Sequence, residues 1–248
     1  MSRYFLEVAY KGSRFSGFQG QANANTIQGE IENAFNLLNA SMVKMTGSSR
    51  TDAGVHALQN YFHFDFDRLL HPQFIYKLNA ILPPDIVAKS IHEMPENAHA
   101  RFDARSRYYQ YRIYRFKNPF YLETGYYYPY QLEFNLLKEA AEYIKDHKNF
   151  YAFTKMNTAV KNYECTIYKS EWVFKKDVWI YHIEANRFLR GMIRLLTATM
   201  LQLARKKIPL ESFHSLFQSD KKCGYSIPAT GLFLTSVTFP QNYFKAID

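Results

Sequence analysis

The run Ser48-Ser49-Arg50-Thr51-Asp52-Ala53-Gly54-Val55-His56-Ala57 lies between two strand-like stretches, Met42 to Thr46 and Asn60 to Phe66. A polar, glycine-bearing segment in that place is the exposed connection between two strands. Asp52 then has two readings. In one it is a turn residue whose side chain bonds nearby amides, with Gly54 taking a positive φ. In the other it is an active carboxylate, its charge supported by Arg50, on a loop rigid enough to aim it.

Upstream of the loop, Arg3 to Lys11 alternates apolar and polar residues and reads as a strand ending at Lys11-Gly12-Ser13. Arg14 to Gln21 mixes aromatics, glycines and amides. That composition suits a loop touching a ligand through Phe18 and Gln19, or an aromatic plug beneath a loop. From Thr26 to Ala40, Ile27, Ile31, Phe35 and Leu38 recur at helical spacing, with Asn25 or Thr26 as cap. Downstream, the pattern predicts a helix around Pro72 to Ile81 and a strand from Ile86 to His92, which completes a βαββαβ order. The arginine-bearing, weakly apolar stretch from Ala98 to Ser106 marks a junction, giving domains 1–105 and 106–248.

The second half repeats the plan. Arg107 to Phe116 is a strand with Tyr109, Tyr111 and Ile113 on one face and Tyr108, Gln110 and Arg112 on the other. A helix from Leu136 to Ile144 follows, then a hairpin of Thr166–Lys175 and Val178–Ala185. A long helix spans Phe188 to Arg205, a short one Pro209 to Phe217, and the last strand runs from Leu232 to Phe239. At 3.6 residues per turn, Arg187, Arg190 and Arg194 form a stripe along the long helix. A stripe of this kind is either a solvated face or a set of contacts to phosphates or to a carboxylate such as Asp52. The fold class is α+β, with two similar βαββαβ domains of ferredoxin or RRM-like type.

The formal net charge of +9 over 248 residues and a pI near 9.3 point to a polyanionic partner. Aromatic residues make up 17% and suit stacking on bases as well as packing, which favours nucleic acid over a membrane. No apolar run reaches membrane-spanning length and the N-terminus lacks the apolar core of a signal peptide, so a cytoplasmic protein is expected. Cys165 and Cys223 lie far apart without a ligand cluster, which reads as two reduced thiols with no disulfide and no metal site.

The sequence resembles the tRNA pseudouridine synthase A family over nearly its whole length. The densest match is Arg50-Thr51-Asp52-Ala53-Gly54-Val55-His56-Ala57. Others are Tyr10-Lys11-Gly12, Phe18-Gln19, Thr26-Ile27-Gln28, Arg107-Tyr108-Tyr109-Gln110-Tyr111, Ala185 to Arg190 with Met192-Ile193-Arg194, and Gly231-Leu232-Phe233-Leu234. The resemblance implies that Asp52 is the catalytic aspartate. It further implies that Tyr109 stacks on the target uracil, that Arg194 pairs with the aspartate, and that Arg50 helps extrude the base. Phe18, Gln19, Tyr111, Arg187 and Arg190 are the further residues expected to contact the substrate. The implied fold has its two sheets meeting around a basic cleft. The implied activity is isomerisation of uridine at positions 38 to 40 in the tRNA anticodon arm, by a homodimer without cofactor. This sequence departs from the family at Ser49, where glycine is usual, and at Phe18, where tryptophan is usual.

The competing reading is a non-catalytic RNA-binding protein of RRM-like topology. It leaves the Arg50, Asp52 and Arg194 set unexplained, and the Arg/Lys-Gly-Phe/Tyr platform motif of that class is absent. The His-x-Glu and Pro-Cys-x-x-Cys pattern of zinc deaminases and the G-x-G-x-x-G loop of dinucleotide enzymes are absent too.

Overall fold

The computed structural model describes residues 1–156 and 162–244; the last residues of the expected second domain, up to 248, lie outside them. The described residues form a mixed α+β structure with mostly antiparallel strand pairing and five α-helices. None of those helices is long and apolar enough to cross a membrane. The chain divides into two compact units, residues 1–105 with 233–248, and residues 106–232.

In the first unit β1 (Ser2–Tyr10) is the central strand, antiparallel to β3 (His56–Phe66) on one side and to β4 (Ile86–Met94) on the other. Its alternation puts Tyr4, Leu6, Val8 and Tyr10 in the core. Helix α1 (Ile27–Asn39) follows β1, and the Thr26 side chain caps it by accepting from Gly29 N–H at 3.1 Å. Ile27, Ile31, Ala34 and Phe35 form its buried stripe. Helix α2 (Phe74–Ile81) begins two residues later than the Pro72 start expected.

The strand expected over 42–46 is reduced to β2 (Thr46–Gly47), paired with His63 and Phe62. The reason lies in α1. Met45 N–H donates to Glu32 Oε1 at 2.8 Å, and Gln28 Nε2 donates to Met45 C=O at 2.9 Å. Helix side chains thus satisfy backbone groups that a ladder would otherwise use.

The last strand, β9 (Leu232–Thr238), is read from sequence as part of the second domain, yet from Phe233 onward the chain belongs to the first unit. It runs parallel to β3, pairing His56 with Phe233 and Ala57 with Leu234. The segment after it packs Phe239 and Tyr243 against Phe5, and Phe244 stacks on Tyr61 at 5.2 Å. Tyr243 hydroxyl donates to Asp103. These aromatic contacts are what keep the C-terminal strand with the first unit.

In the second unit β5 (Ser106–Tyr114), β8 (Val178–Ala185) and β7 (Ile167–Phe174) form an antiparallel sheet in that order, and the two-residue β6 (Tyr126–Tyr127) pairs parallel with β5. Tyr109, Tyr111 and Ile113 are buried, as their alternation predicts, while Gln110 and Arg112 are half-buried on the opposite face. Helix α3 (Phe134–Lys145) packs on β7 and on α4 (Met192–Ala204). α4 is buried almost all round. The Thr197 and Thr199 hydroxyls donate back to the carbonyls of Ile193 and Leu195, so polar groups enter the core satisfied. The short α5 (Leu210–Ser215) follows. Both cysteines are free thiols, and burial pushes Cys165 up to about 11.

The long helix expected from Phe188 starts only at Met192. Gly191 sits at φ +75°, a left-handed conformation that glycine adopts without a Cβ penalty, and its carbonyl accepts the Leu195 N–H at 3.1 Å. Arg187 and Arg190 therefore precede the helix. The three-arginine helical stripe does not form; only Arg194 stands on α4.

His63 is buried in the first unit, with its ring 4.5 Å from that of His99 and its Nδ1 accepting from Ala100 N–H at 3.2 Å. Burial, together with the nearby charges of His99 and Arg3, pulls its pKa down to about 4. Below the ordinary histidine range the unfolded chain therefore takes up a proton that the folded chain refuses. The stabilisation is present above about pH 6.5 and is lost as pH falls toward 4. Urea midpoints are expected to be level above about pH 7 and to decline across that window, less steeply in His63→Asn.

Candidate active site

The Asp52 loop is held by polar groups buried beneath it. Asn60, on β3, is fully buried and makes four contacts. Its Nδ2 donates to Ser49 C=O at 2.9 Å and to Tyr10 hydroxyl at 3.1 Å; its Oδ1 accepts from Ser48 Oγ at 2.7 Å and from Tyr61 N–H at 2.9 Å. Tyr10 hydroxyl lies 2.8 Å from Thr51 Oγ1, so β1 grips the loop one residue before the carboxylate. Burial raises the Tyr10 pKa and keeps that hydroxyl protonated. Ser48 N–H donates to Tyr61 C=O at 2.8 Å, and Phe18 N–H to Thr51 C=O at 3.1 Å.

The segment after β1 passes under the loop at very close range. A Cβ on Gly12 would stand 2.0 Å from Val55 C=O, so the backbone approach admits glycine alone. Gly12 N–H also donates to His56 Nδ1 at 3.2 Å, and the His56 ring stacks on Phe233 at 4.5 Å. Phe18 is buried at 1% exposure, stacked on Phe62 at 4.5 Å and 11°. It is the plug beneath the loop and not a face offered to a substrate. Gln19, next to it, is exposed.

Within this frame Asp52 is half-buried and Arg50 is exposed. The turn after Asp52 exists as well: Val55 N–H donates to Asp52 C=O at 3.2 Å and Gly54 has φ +79°. Ser49, where the family resemblance leads us to expect glycine, is 8% exposed, and its hydroxyl has no hydrogen-bond partner among the described residues.

The other expected site residues lie in the second unit. Tyr109 is 8% exposed and meets Phe188 edge-on at 5.2 Å and 84°. Tyr111 is fully buried and donates its hydroxyl to Pro228 C=O at 2.7 Å, so it is a core residue and presents no face to a base. Arg194, in the first turn of α4, is half-buried, and its Nε donates to Ile227 C=O at 2.7 Å. Arg187 and Arg190 are exposed in the irregular segment before Gly191, where Arg190 C=O accepts from Lys155 N–H at 3.0 Å. Sequence reasoning missed the residues that position these groups: Asn60, Tyr10 and Thr51 around Asp52, Phe188 beside Tyr109, and Ile227 holding Arg194. The one available signal was Asn60, a polar residue at the start of the strand expected over 60–66.

The fold and these side chains define an α+β protein with basic and aromatic groups suited to a nucleic-acid substrate. Residues 7–103 and 140–240 match the tRNA pseudouridine synthase family. A tRNA pseudouridine synthase A of Parabacteroides distasonis is 38% identical over 252 aligned residues that cover the whole of both chains. Proteins of the same name from Azobacteroides pseudotrichonymphae and Bacteroides thetaiotaomicron are 37% and 35% identical, each over 99% of this chain and over 100% and 93% of their own lengths. The chain belongs to the tRNA pseudouridine synthase family, and its activity is the isomerisation of uridine in tRNA.

The bracing makes a contrast between two neighbours. Asn60→Ala leaves several buried donors and acceptors unpaired and is expected to cost about 2–4 kcal/mol. Ser49→Ala removes a hydroxyl that already lacks a partner and is expected to be neutral or slightly stabilising. Urea unfolding of the two variants beside the parent checks both.

Proposed function

We propose that Asp52 is the catalytic carboxylate of this isomerase. In this reading Tyr109 is the surface on which the uracil stacks, Arg194 is the charge partner of Asp52, and Arg50 helps extrude the target base. Two α+β domains meet around a basic cleft that takes the anticodon arm, the targets are positions 38 to 40, and the enzyme works as a cytoplasmic homodimer. One observation carries the proposal. A half-buried carboxylate stands on a loop fixed by Asn60, Tyr10 and Thr51, far more bracing than a surface turn requires.

The reaction breaks the N1–C1′ bond of uridine, rotates the freed uracil and rejoins it through C5; the C5 proton leaves and N1 takes up a proton. Substrate and product are isomers, so the balance needs no oxidant or reductant. Asp52 serves by adding to the sugar or ring, or by removing a sugar proton, and then by helping to take the C5 proton. An aromatic platform retains the loose uracil between bond breaking and bond making. A paired uridine must first leave its helix, which is the work given to Arg50. Exposed Arg187 and Arg190 supply phosphate contacts.

Asp52→Asn preserves shape and turn while removing the charge. It is expected to lower tritium release from C5-labelled tRNA by several orders of magnitude. tRNA binding should stay within about tenfold of the parent. A folded variant releasing tritium at the parental rate ends the assignment. Binding of tRNA is also expected to weaken steeply with salt, with a shallower slope in Arg187→Ala and Arg190→Ala. Titrations at several salt concentrations read this directly.

A further inference from the structure

The second unit carries a cavity of about 290 Å³ that the chemistry above does not use. Its walls are Tyr126, Tyr128, Tyr130, Tyr225 and Arg205, and no carboxylate is among its lining residues as described. The Arg205 guanidinium carbon stands 3.7 Å over the Tyr130 ring and 5.9 Å over that of Tyr128. Tyr128 and Tyr130 meet at 4.9 Å and 70°. Tyr130 is 46% exposed and Tyr225 is 37% exposed; Tyr225 stacks on no other ring among the described residues. Gln202 and Ser226 add polar edges.

We infer that this cavity is a second base-binding subsite, which takes one unpaired nucleobase of the RNA substrate, a neighbour of the isomerised uridine. The chemistry selects that occupant. Aromatic faces with an arginine plane stack bases of any identity, and a guanidinium also meets the adjoining phosphate. Arg205 is followed in the chain by Lys206 and Lys207, of which Lys206 pairs with Glu133 at 3.3 Å, so the guanidinium is the cation that lines the cavity. The volume, near the lower end of small-ligand pockets at roughly 300 Å³, admits one nucleotide and excludes a duplex. The location follows from Ile227, which lines the cavity while its carbonyl holds the Arg194 Nε at 2.7 Å. The inference thus rests on the proposal that Arg194 belongs to the reaction site.

Anticodon-arm RNAs carrying an abasic nucleotide at each loop position in turn test it, with affinities measured for the parent, Tyr225→Leu, Tyr225→Phe and Arg205→Lys. At one position other than the target, loss of the base is expected to weaken parental binding about tenfold. Tyr225→Leu and Arg205→Lys should bind intact RNA about tenfold more weakly and lose almost nothing further at that position. Tyr225→Phe keeps the ring and should behave as the parent. Losses that multiply at every position, or a parent indifferent to every abasic site, overturn the subsite. Binding does not require turnover, so Asp52→Asn protein should show the same coupling. A coupling that survives in an Asp52→Asn protein of parental activity sinks the catalytic assignment alone, and a missing coupling with an inactive Asp52→Asn sinks the subsite alone.

Discussion

Asn60 fixes the loop on which the proposed chemistry depends. Its amide is the one side chain that bonds both ends of the problem, the loop backbone at Ser49 and the β1 hydroxyl of Tyr10. A buried amide is costly to desolvate, and here each of its four contacts is to another buried residue, so the network holds only when complete. That condition links distant parts of the first unit. β1 must be in register with β3 for Tyr10 to reach Asn60, and Gly12 must pass beneath Val55 for the chain to leave β1 without lifting the loop.

The abundance of aromatic residues serves packing before it serves recognition. Phe5, Phe18, Phe35, Phe62, Phe64 and Phe74 are fully buried in the first unit, and Phe18 and Tyr111, both expected to contact substrate, are spent on support. Composition reports how many rings a chain has; it carries no record of which face of a strand or loop they occupy. In Tyr126, Tyr130 and Tyr225 rings with partial exposure gather around an arginine, and there the balance tips toward binding.

Much of the fold was legible because period decides burial. β1, α1, the β7–β8 hairpin and β9 were readable from alternation or from helical spacing, and their limits fall within a residue or two of those expected. The errors share a cause. Residues 42–45 have strand-like composition, yet the backbone N–H and C=O of Met45 are satisfied by Glu32 and Gln28, partners fixed only by the tertiary structure. Phe188 to Arg190 continue the apolar spacing of α4, and a single glycine conformation decides that the helix starts after them. The assignment of β9 to the first unit rests on His56, Phe233 and the aromatic tail, none of which periodicity reveals. For the site, Asp52 and Arg50 were visible as unusual residues in a loop, whereas Tyr109 on β5 and Arg194 on α4 were singled out by the family resemblance. Of their supports, Asn60 showed only as a polar residue at the start of an expected strand, and Ile227 looks ordinary in sequence because it acts through a backbone carbonyl.

The two readings of Asp52 turn out not to compete. A turn residue and an aimed carboxylate both need the chain to reverse tightly after Asp52, and the bond that closes this turn, from Val55 N–H, is accepted by the main-chain carbonyl of Asp52. The Asp52 side chain takes no part in that bond. Gly54 supplies the positive φ, so the turn asks nothing of the carboxylate that asparagine or another small polar residue could not supply. What the turn does provide is rigidity at the following residue, while Tyr10 and Asn60 provide it at the preceding ones. A backbone held on both sides of Asp52 loses little further freedom when a substrate arrives, which is the property that the role proposed for this carboxylate requires.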